Sequence, residues 1–219
     1  MLFGTIRPFL GPDQKGCGMD WDKAFSGVDY RYGTEPAAFL PRVADLIPEG
    51  ARVMFLADGE GRNSVWLAAQ GRHRVSAMEQ SAPALEKARR LAGMRGAAVD
   101  FRQSAIEDQD WSEPFDAILG LFIQFAPPAL MRRIHAGIAR SVVPGGLVLL
   151  HGYHPDQLAY GTGGPDRADQ MYTPEGLTAD FPGWEILLLE RYDAGQSAGS
   201  AHQGRSALID FVARRPGQG

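Results

Sequence analysis

Between the apolar run Ala51–Ala57 and a helix-forming stretch that starts at Arg62 stands Asp58-Gly59-Glu60-Gly61-Arg62-Asn63. Glycines at such a junction remove Cβ atoms, so the backbone turns sharply and a ligand can pass close to it. A helix that follows aims unpaired N–H groups at the same place. Glu79 stands 20 residues beyond Gly59, at the end of a second apolar run. A carboxylate there can accept both hydroxyls of a ribose, so the two features together read as a nucleoside-binding crevice. Ribose binding alone does not choose between adenosine-containing cofactors, and NAD would also suit. A second group of reactive side chains comes late in the chain. His151, Tyr153, His154, Gln157 and Tyr160 follow an apolar run, Tyr172 precedes a helix start, and His202 and Arg205 fall in a Gly/Ser/Ala-rich stretch. His151 and His202 are the candidate general bases, with a structural hydrogen bond or loop solvation as the alternative for each. The spacing of His151, His154 and Asp156 matches no metal-ligand motif, so no metal is expected.

The elements needed to hold these groups are visible as an alternation. Pro36 opens a helix whose apolar residues Phe39, Leu40, Val43, Leu46 and Ile47 recur at helical spacing, ended by Pro48-Glu49-Gly50. Strands are expected at Ala51–Ala57, His73–Glu79, Val99–Gln103, Phe115–Phe122 and Leu147–His151. Helices are expected at Arg62–Gln70, Ala82–Gly93 and Pro128–Ser141. Strands alternating with helices of this length argue for a parallel sheet covered on both faces. Residues 152–173 read as a long ordered loop, and Thr173-Pro174-Glu175 as the start of a short helix. Trp184–Arg191 and Ala207–Ala213 read as two last strands joined by a flexible connection over 194–206. Residues 1–35 show no periodicity and read as an irregular arm containing Trp21, Phe25, Tyr30 and Tyr32.

Bulk composition removes several classes. The 219 residues are 44% hydrophobic, enough for one sizeable core, and the formal net charge is -4, so no nucleic-acid partner is expected. Basic clusters such as Lys87-Ala88-Arg89-Arg90 are short and fall on apparent helices. A single cysteine, Cys17, excludes an intramolecular disulfide and fits a reducing, cytoplasmic setting. No run reaches the roughly 18 apolar residues of a membrane span.

The glycine turn, Glu79, Ser104-Ala105-Ile106 after the third strand, FDAILGLF, and Pro144-Gly145-Gly146 before LVLLH together resemble class I S-adenosylmethionine-dependent methyltransferases. The resemblance spans roughly 36–213. Tyr32-Gly33-Thr34-Glu35-Pro36 with Gly59-Glu60-Gly61-Arg62-Asn63 is similar to the tellurite-resistance and thiopurine-type branch, whose acceptors are small molecules. It implies an α/β fold, Rossmann-like and doubly wound, with a mostly parallel seven-stranded sheet, an antiparallel C-terminal strand and helices on both faces. The implied organisation is an arm (1–35) closing over the cofactor, one domain (36–213) with substrate-side loops at 152–173 and 192–206, and a tail (214–219).

The implied cofactor is S-adenosylmethionine. Gly59 and Gly61 would pass its methionine part, with Asp58, Arg62 and Asn63 in the same turn. Glu79 would hold the ribose, with Gln80 and Ser81 alongside. Ser104 and Ala105 would face the adenine edge, where the family often has an acid at the Ser104 position, and Ile106 would pack on the ring. Leu121, Phe122 and Ile123 would border the methyl group, and Tyr32, Gly33, Thr34 and Glu35 would close over the cofactor. The acceptor pocket would draw on Trp21, Gln124, Phe125, Tyr153, Tyr160, Tyr172 and Arg205. Two departures stand out: Phe55 replaces the family's acidic residue in strand one, and Ala57 its first glycine. Asp58, or a backbone carbonyl, would then meet the methionine amino group.

Methyl transfer from a sulfonium asks mainly for positioning and exclusion of water, and needs a general base only when the acceptor is protonated. The expected partner is a small-molecule methyl acceptor, and the expected state is a monomer or homodimer. Two other readings compete: a nicotinamide-dependent oxidoreductase, and a non-catalytic cofactor-binding regulator suggested by Phe55 and Ala57.

Overall fold

The computed structural model describes residues 19–199 and 202–217. Seven strands form one sheet in the order β3-β2-β1-β4-β5-β7-β6. They are β1 (Arg52–Phe55), β2 (Arg74–Glu79), β3 (Val99–Gln103), β4 (Phe115–Leu121), β5 (Val142–Tyr153), β6 (Glu185–Ala198) and β7 (His202–Arg214). The first five are parallel, and β7 runs antiparallel to both β5 and β6. The helices are α1 (Trp21–Phe25), α2 (Phe39–Val43), α3 (Arg62–Ala69), α4 (Ala82–Arg95), α5 (Pro128–Ser141) and α6 (Pro174–Asp180).

The period-two alternation of strand side chains divides the core into two layers. Val53, Phe55, Ala117, Leu119, Leu147 and Leu149 face α2 and α3, against Phe39, Leu40, Val43 and Leu67. Met54, Ile118, Val148, Leu150, Ile209 and Phe211 face α5 and α6, against Leu130, Ile134, Ile138 and Leu177. Both layers are closed to solvent, which explains why these strands read as continuous apolar runs.

Local signals set the helix ends. Ser81 accepts the Ala84 N–H at the start of α4, and Gly96 ends it at φ +63°. Thr173 caps α6 with Pro174 behind it. The helix expected from Pro36 is shorter than the spacing predicts: α2 stops at Val43 and tightens into a 3-10 turn over Ala44–Leu46. Gly61 precedes α3 at φ +85°, and a Cβ there would lie 2.7 Å from the Ala88 Cβ of α4. Gly61→Ala should therefore combine strain with a helix-helix clash and destabilise by about 2–4 kcal/mol, read by urea unfolding.

Two expectations are corrected. The segment 194–206 is no flexible connection, because β6 and β7 continue as a paired hairpin whose register runs out to Ala198 opposite His202. The arm also carries order: α1 is a helix capped by Asp20, which accepts the Lys23 N–H at 3.0 Å. Cys17 and the side chain of His202 lie outside the described residues.

Candidate active site

The crevice opens at the carboxyl ends of β1, β2 and β4, where the strand order reverses and parallel sheets of this kind take their ligands. It is a cavity of about 1060 Å³. Its floor is the turn after β1. Ala57 and Phe122, which follow β1 and β4, are the two described residues other than glycine with positive φ, at +46° and +59°. Such strain persists where the surroundings impose it. At Phe122 the imposing contact is a hydrogen bond from its N–H to the His151 carbonyl at 2.7 Å, which turns the backbone at the cavity wall. The φ of Ala57 accounts for the glycine that the resemblance expects at that position.

Glu79 ends β2 and is buried. One carboxylate oxygen accepts the Gly59 N–H at 3.0 Å and the other the Ser81 N–H at 2.8 Å. Burial pushes its pKa up, and these N–H bonds oppose the shift. Each oxygen keeps a further acceptor position for a diol. Asp58 is half-buried, takes the Ser64 hydroxyl on Oδ2, and has no hydrogen-bond partner at Oδ1, which is shut off from solvent. Desolvation raises its pKa to about 7 against the Ser64 bond, with Glu79 adding repulsion. An orphaned acceptor beside the glycine turn is what an ammonium group would satisfy.

Arg62 also lines the cavity. It is 7% exposed, donates from Nη1 to the Tyr32 carbonyl at 3.1 Å, and burial holds its pKa below the usual guanidinium range. Further hydrogen bonds tie the arm and the start of the domain to this turn, two of them through Lys87. Tyr32 N–H donates to Glu60 at 3.3 Å and Ala37 N–H to Asn63 at 2.9 Å. Lys87 Nζ reaches both Glu60 Oε1 and the Asp29 carbonyl at 2.7 Å. Trp21 stacks on Phe25 at 5.7 Å and meets Phe125 edge-on at 5.9 Å, carrying the arm across the opening.

Of the expected cofactor residues, the cavity is lined by Tyr32, Asp58, Gly59, Arg62, Asn63, Glu79, Gln80, Ser104, Ala105, Ile106, Leu121 and Phe122. Others lie elsewhere. Gly61 packs α3 on α4, Ser81 caps α4, and Ile123 is buried against Gly120. Glu35 pairs with Arg95 on the surface at 2.6 Å, and Gly33 and Thr34 stand outside the lining.

Of the expected acceptor residues, Trp21, Gln124, Phe125 and Tyr153 line the cavity. Gln124 spends both ends of its amide on the Tyr153 backbone, accepting its N–H and donating to its carbonyl. Tyr172 is in the core with its hydroxyl on Met131, and Tyr160 and Arg205 form a surface trio with Asp193. His151 stands one layer behind the cavity. Its Nδ1 lies 2.6 Å from buried Asp210, its ring stacks on Phe39 at 5.1 Å, and Phe122 separates it from the opening. That placement corrects the general-base expectation for His151, since a base must reach the proton it removes. Arg31, Met78, Glu107, Asp108, Gly163, Gly164 and Asp166 line the cavity without having been singled out. The acids Glu107 and Asp108 directly follow Ser104-Ala105-Ile106, the one readable signal among them.

Fold and crevice define the class first: an open α/β sheet with a reversed final hairpin, the Rossmann-like methyltransferase fold. Residues 53–146, which include the strands around the crevice, match a family model described as a methyltransferase domain. A sequence comparison with curated proteins gives no match. Among similar solved structures, one comes from work on conversion of a disulfide bond into a thioacetal group during echinomycin biosynthesis. It has a TM-score of 0.72 at 16% identity, over 90% of this chain and 89% of that one. TehB from Haemophilus influenzae gives 0.67 at 14% identity, over 89% of this chain and 65% of its own. The N-methyltransferase NodS from Bradyrhizobium japonicum, in complex with S-adenosyl-l-homocysteine, gives 0.65 at 13% identity, over 90% and 96%. At such identities the likeness establishes the fold.

Proposed function

We propose that this protein is an S-adenosylmethionine-dependent methyltransferase acting on a small molecule, with thiols, thiopurines and chalcogen oxyanions as the first acceptor classes to try. One observation carries the reading. The Gly59 backbone, the Glu79 carboxylate and the unpartnered Asp58 Oδ1 meet in one cavity at the point where the strand order reverses. When bound, the cofactor supplies an electrophilic methyl group on a positively charged sulfur.

Each part of that cofactor has a fitting group. Glu79 offers free acceptor positions to the ribose diol, and Asp58 an anionic partner to the amino group. Arg62 offers a cation to the carboxylate, while Ile106 and Met78 give the adenine an apolar seat. Phe122 and Tyr32 bring ring faces toward the site, a surrounding that favours a sulfonium. The lining would hold the acceptor beside that methyl group, and any acceptor proton would leave to water. The motifs Tyr32-Gly33-Thr34-Glu35-Pro36 and Gly59-Glu60-Gly61-Arg62-Asn63 are what favour small acceptors, and a cytoplasmic location is part of the same proposal. Among the described residues no helix is long and apolar enough to cross a membrane.

The test is release of S-adenosylhomocysteine over a panel of thiols, thiopurines, selenite and tellurite. Cofactor binding without release from any of them would favour a non-catalytic binder on this scaffold. Glu79→Ala should weaken cofactor binding by about 1–3 kcal/mol in titration calorimetry, the range for lost charged hydrogen bonds, and an unchanged affinity would remove Glu79 from the site.

A further inference from the structure

Two guanidinium groups approach the ring of Tyr32: Arg62 Cζ at 6.0 Å and Arg31 Cζ at 5.7 Å from its centroid. Both residues line the cavity, and among the described residues neither forms an ion pair with a carboxylate. They are not equivalent. The Asp58 carboxylate is the charge that acts most strongly on Arg62, and Arg62 also holds the Tyr32 carbonyl, which places it at the amino-acid end of the cofactor. Arg31 has an Nε shut off from solvent with no hydrogen-bond partner. Its backbone lies under the hairpin tip, where a Cβ at Gly199 would collide with the Arg31 carbonyl.

Arg31 is half-buried, and a bound anion would give its guanidinium the counter-charge it lacks. The cofactor brings one carboxylate but also an ammonium and a sulfonium, so it can neutralise one guanidinium and leaves the other beside new positive charge. Trp21, Tyr32, Phe122 and Phe125 supply the aromatic part of the wall, while the acids Glu107, Asp108 and Asp166 belong to the same lining. A cavity of about 1060 Å³ sits at the top of the small-molecule range, so a second molecule has room.

We propose that the methyl acceptor is a flat organic anion, an aromatic or heteroaromatic ring carrying a carboxylate or similar oxyanion, whose charge is held by Arg31 and whose ring lies among Tyr32, Phe122 and Phe125. This rests on the methyltransferase reading and favours organic anions over the inorganic oxyanions and simple thiols of the panel above. Arg31 acts in it as a specificity-determining residue.

The test is calorimetric titration of the full chain saturated with S-adenosylhomocysteine, using benzoate and its neutral counterpart benzamide as probes. Benzoate should bind about tenfold more tightly or better, Arg31→Gln should abolish that preference, and Arg31→Lys should retain most of it. Affinity for S-adenosylhomocysteine should change less than about threefold in both variants, since another guanidinium serves the cofactor. Equal binding of the two probes, no benzoate binding at millimolar concentration, or an undiminished preference in Arg31→Gln would each overturn the inference while leaving the methyltransferase reading intact. A chain that does not bind S-adenosylhomocysteine at all would overturn both.

Discussion

Lys87→Met should cost on the order of 3–5 kcal/mol of stability, because it leaves the Glu60 carboxylate buried without its cation. The two side chains meet at 2.7 Å and are 8% and 2% exposed, so water cannot substitute for the lost partner. Surface pairs such as Arg72 with Asp45 contribute far less, since solvent screens them. At this chain length the loss corresponds to roughly 10 °C in the melting temperature. Lys87 also holds the Asp29 carbonyl, and Glu60 the Tyr32 N–H, so the same change frees the arm from the cofactor turn. Cofactor affinity should fall with stability. The double variant Lys87→Met with Glu60→Gln removes both charges and should recover most of the loss, which separates an unpaired charge from a packing defect. Melting curves of the three proteins decide it. A single variant within about 1 kcal/mol of the parent would mean that the pair is not closed to water as it stands.

The part of the site nearest to that pair was also the most readable in the sequence. Gly59 and Glu79 stand at strand ends, where an apolar run, its glycine stop and the next helix are all local signals. The parallel strands were readable for the same reason: each is bounded by punctuation, and β1, β2 and β4 are largely buried on both faces, while the edge strand β3 is half-exposed. Val99–Gln103 and Pro128–Ser141 have the bounds their composition suggests. The outer hairpin was hidden because residues 194–206 are small and polar and lack strand alternation; pairing with each other orders them rather than burial of side chains.

Side-chain direction was harder to read than element type. His151 shares the pleat face of Leu147 and Leu149, which points it at Phe39 and not into the crevice. Tyr160 and Arg205 come together only because the hairpin extends to Asp193. Arg31 could not be found at all, since the arm carries no periodicity, and its place comes from long-range bonds between the neighbouring Asp29, Tyr32 and Ala37 and the residues Glu60, Arg62, Asn63 and Lys87.

Asp58→Asn should separate what the carboxylate does for binding from what it costs the fold. Its pKa of about 7 stands well above the ordinary carboxylate value, because burial and the Glu79 charge outweigh the help of the Ser64 bond and Arg62. The folded apo protein therefore holds a proton that the unfolded chain has already released. Over the window from about pH 4 to about pH 7, stability falls as pH rises, and above it the full penalty persists. The variant, which never ionises, should be more stable than the parent in the apo form at pH 8 and gain no such advantage at pH 4. Binding runs the other way. An ammonium group prefers the ionised carboxylate, so parental affinity for S-adenosylhomocysteine should drop as pH is lowered from 8 to 6. The Asp58→Asn variant should bind about 1–3 kcal/mol more weakly at pH 8 and lose that pH dependence. Denaturation and calorimetry at three pH values measure both effects on the same samples. Raised apo stability with unchanged affinity would place the cofactor's amino group elsewhere in the crevice, against a backbone carbonyl.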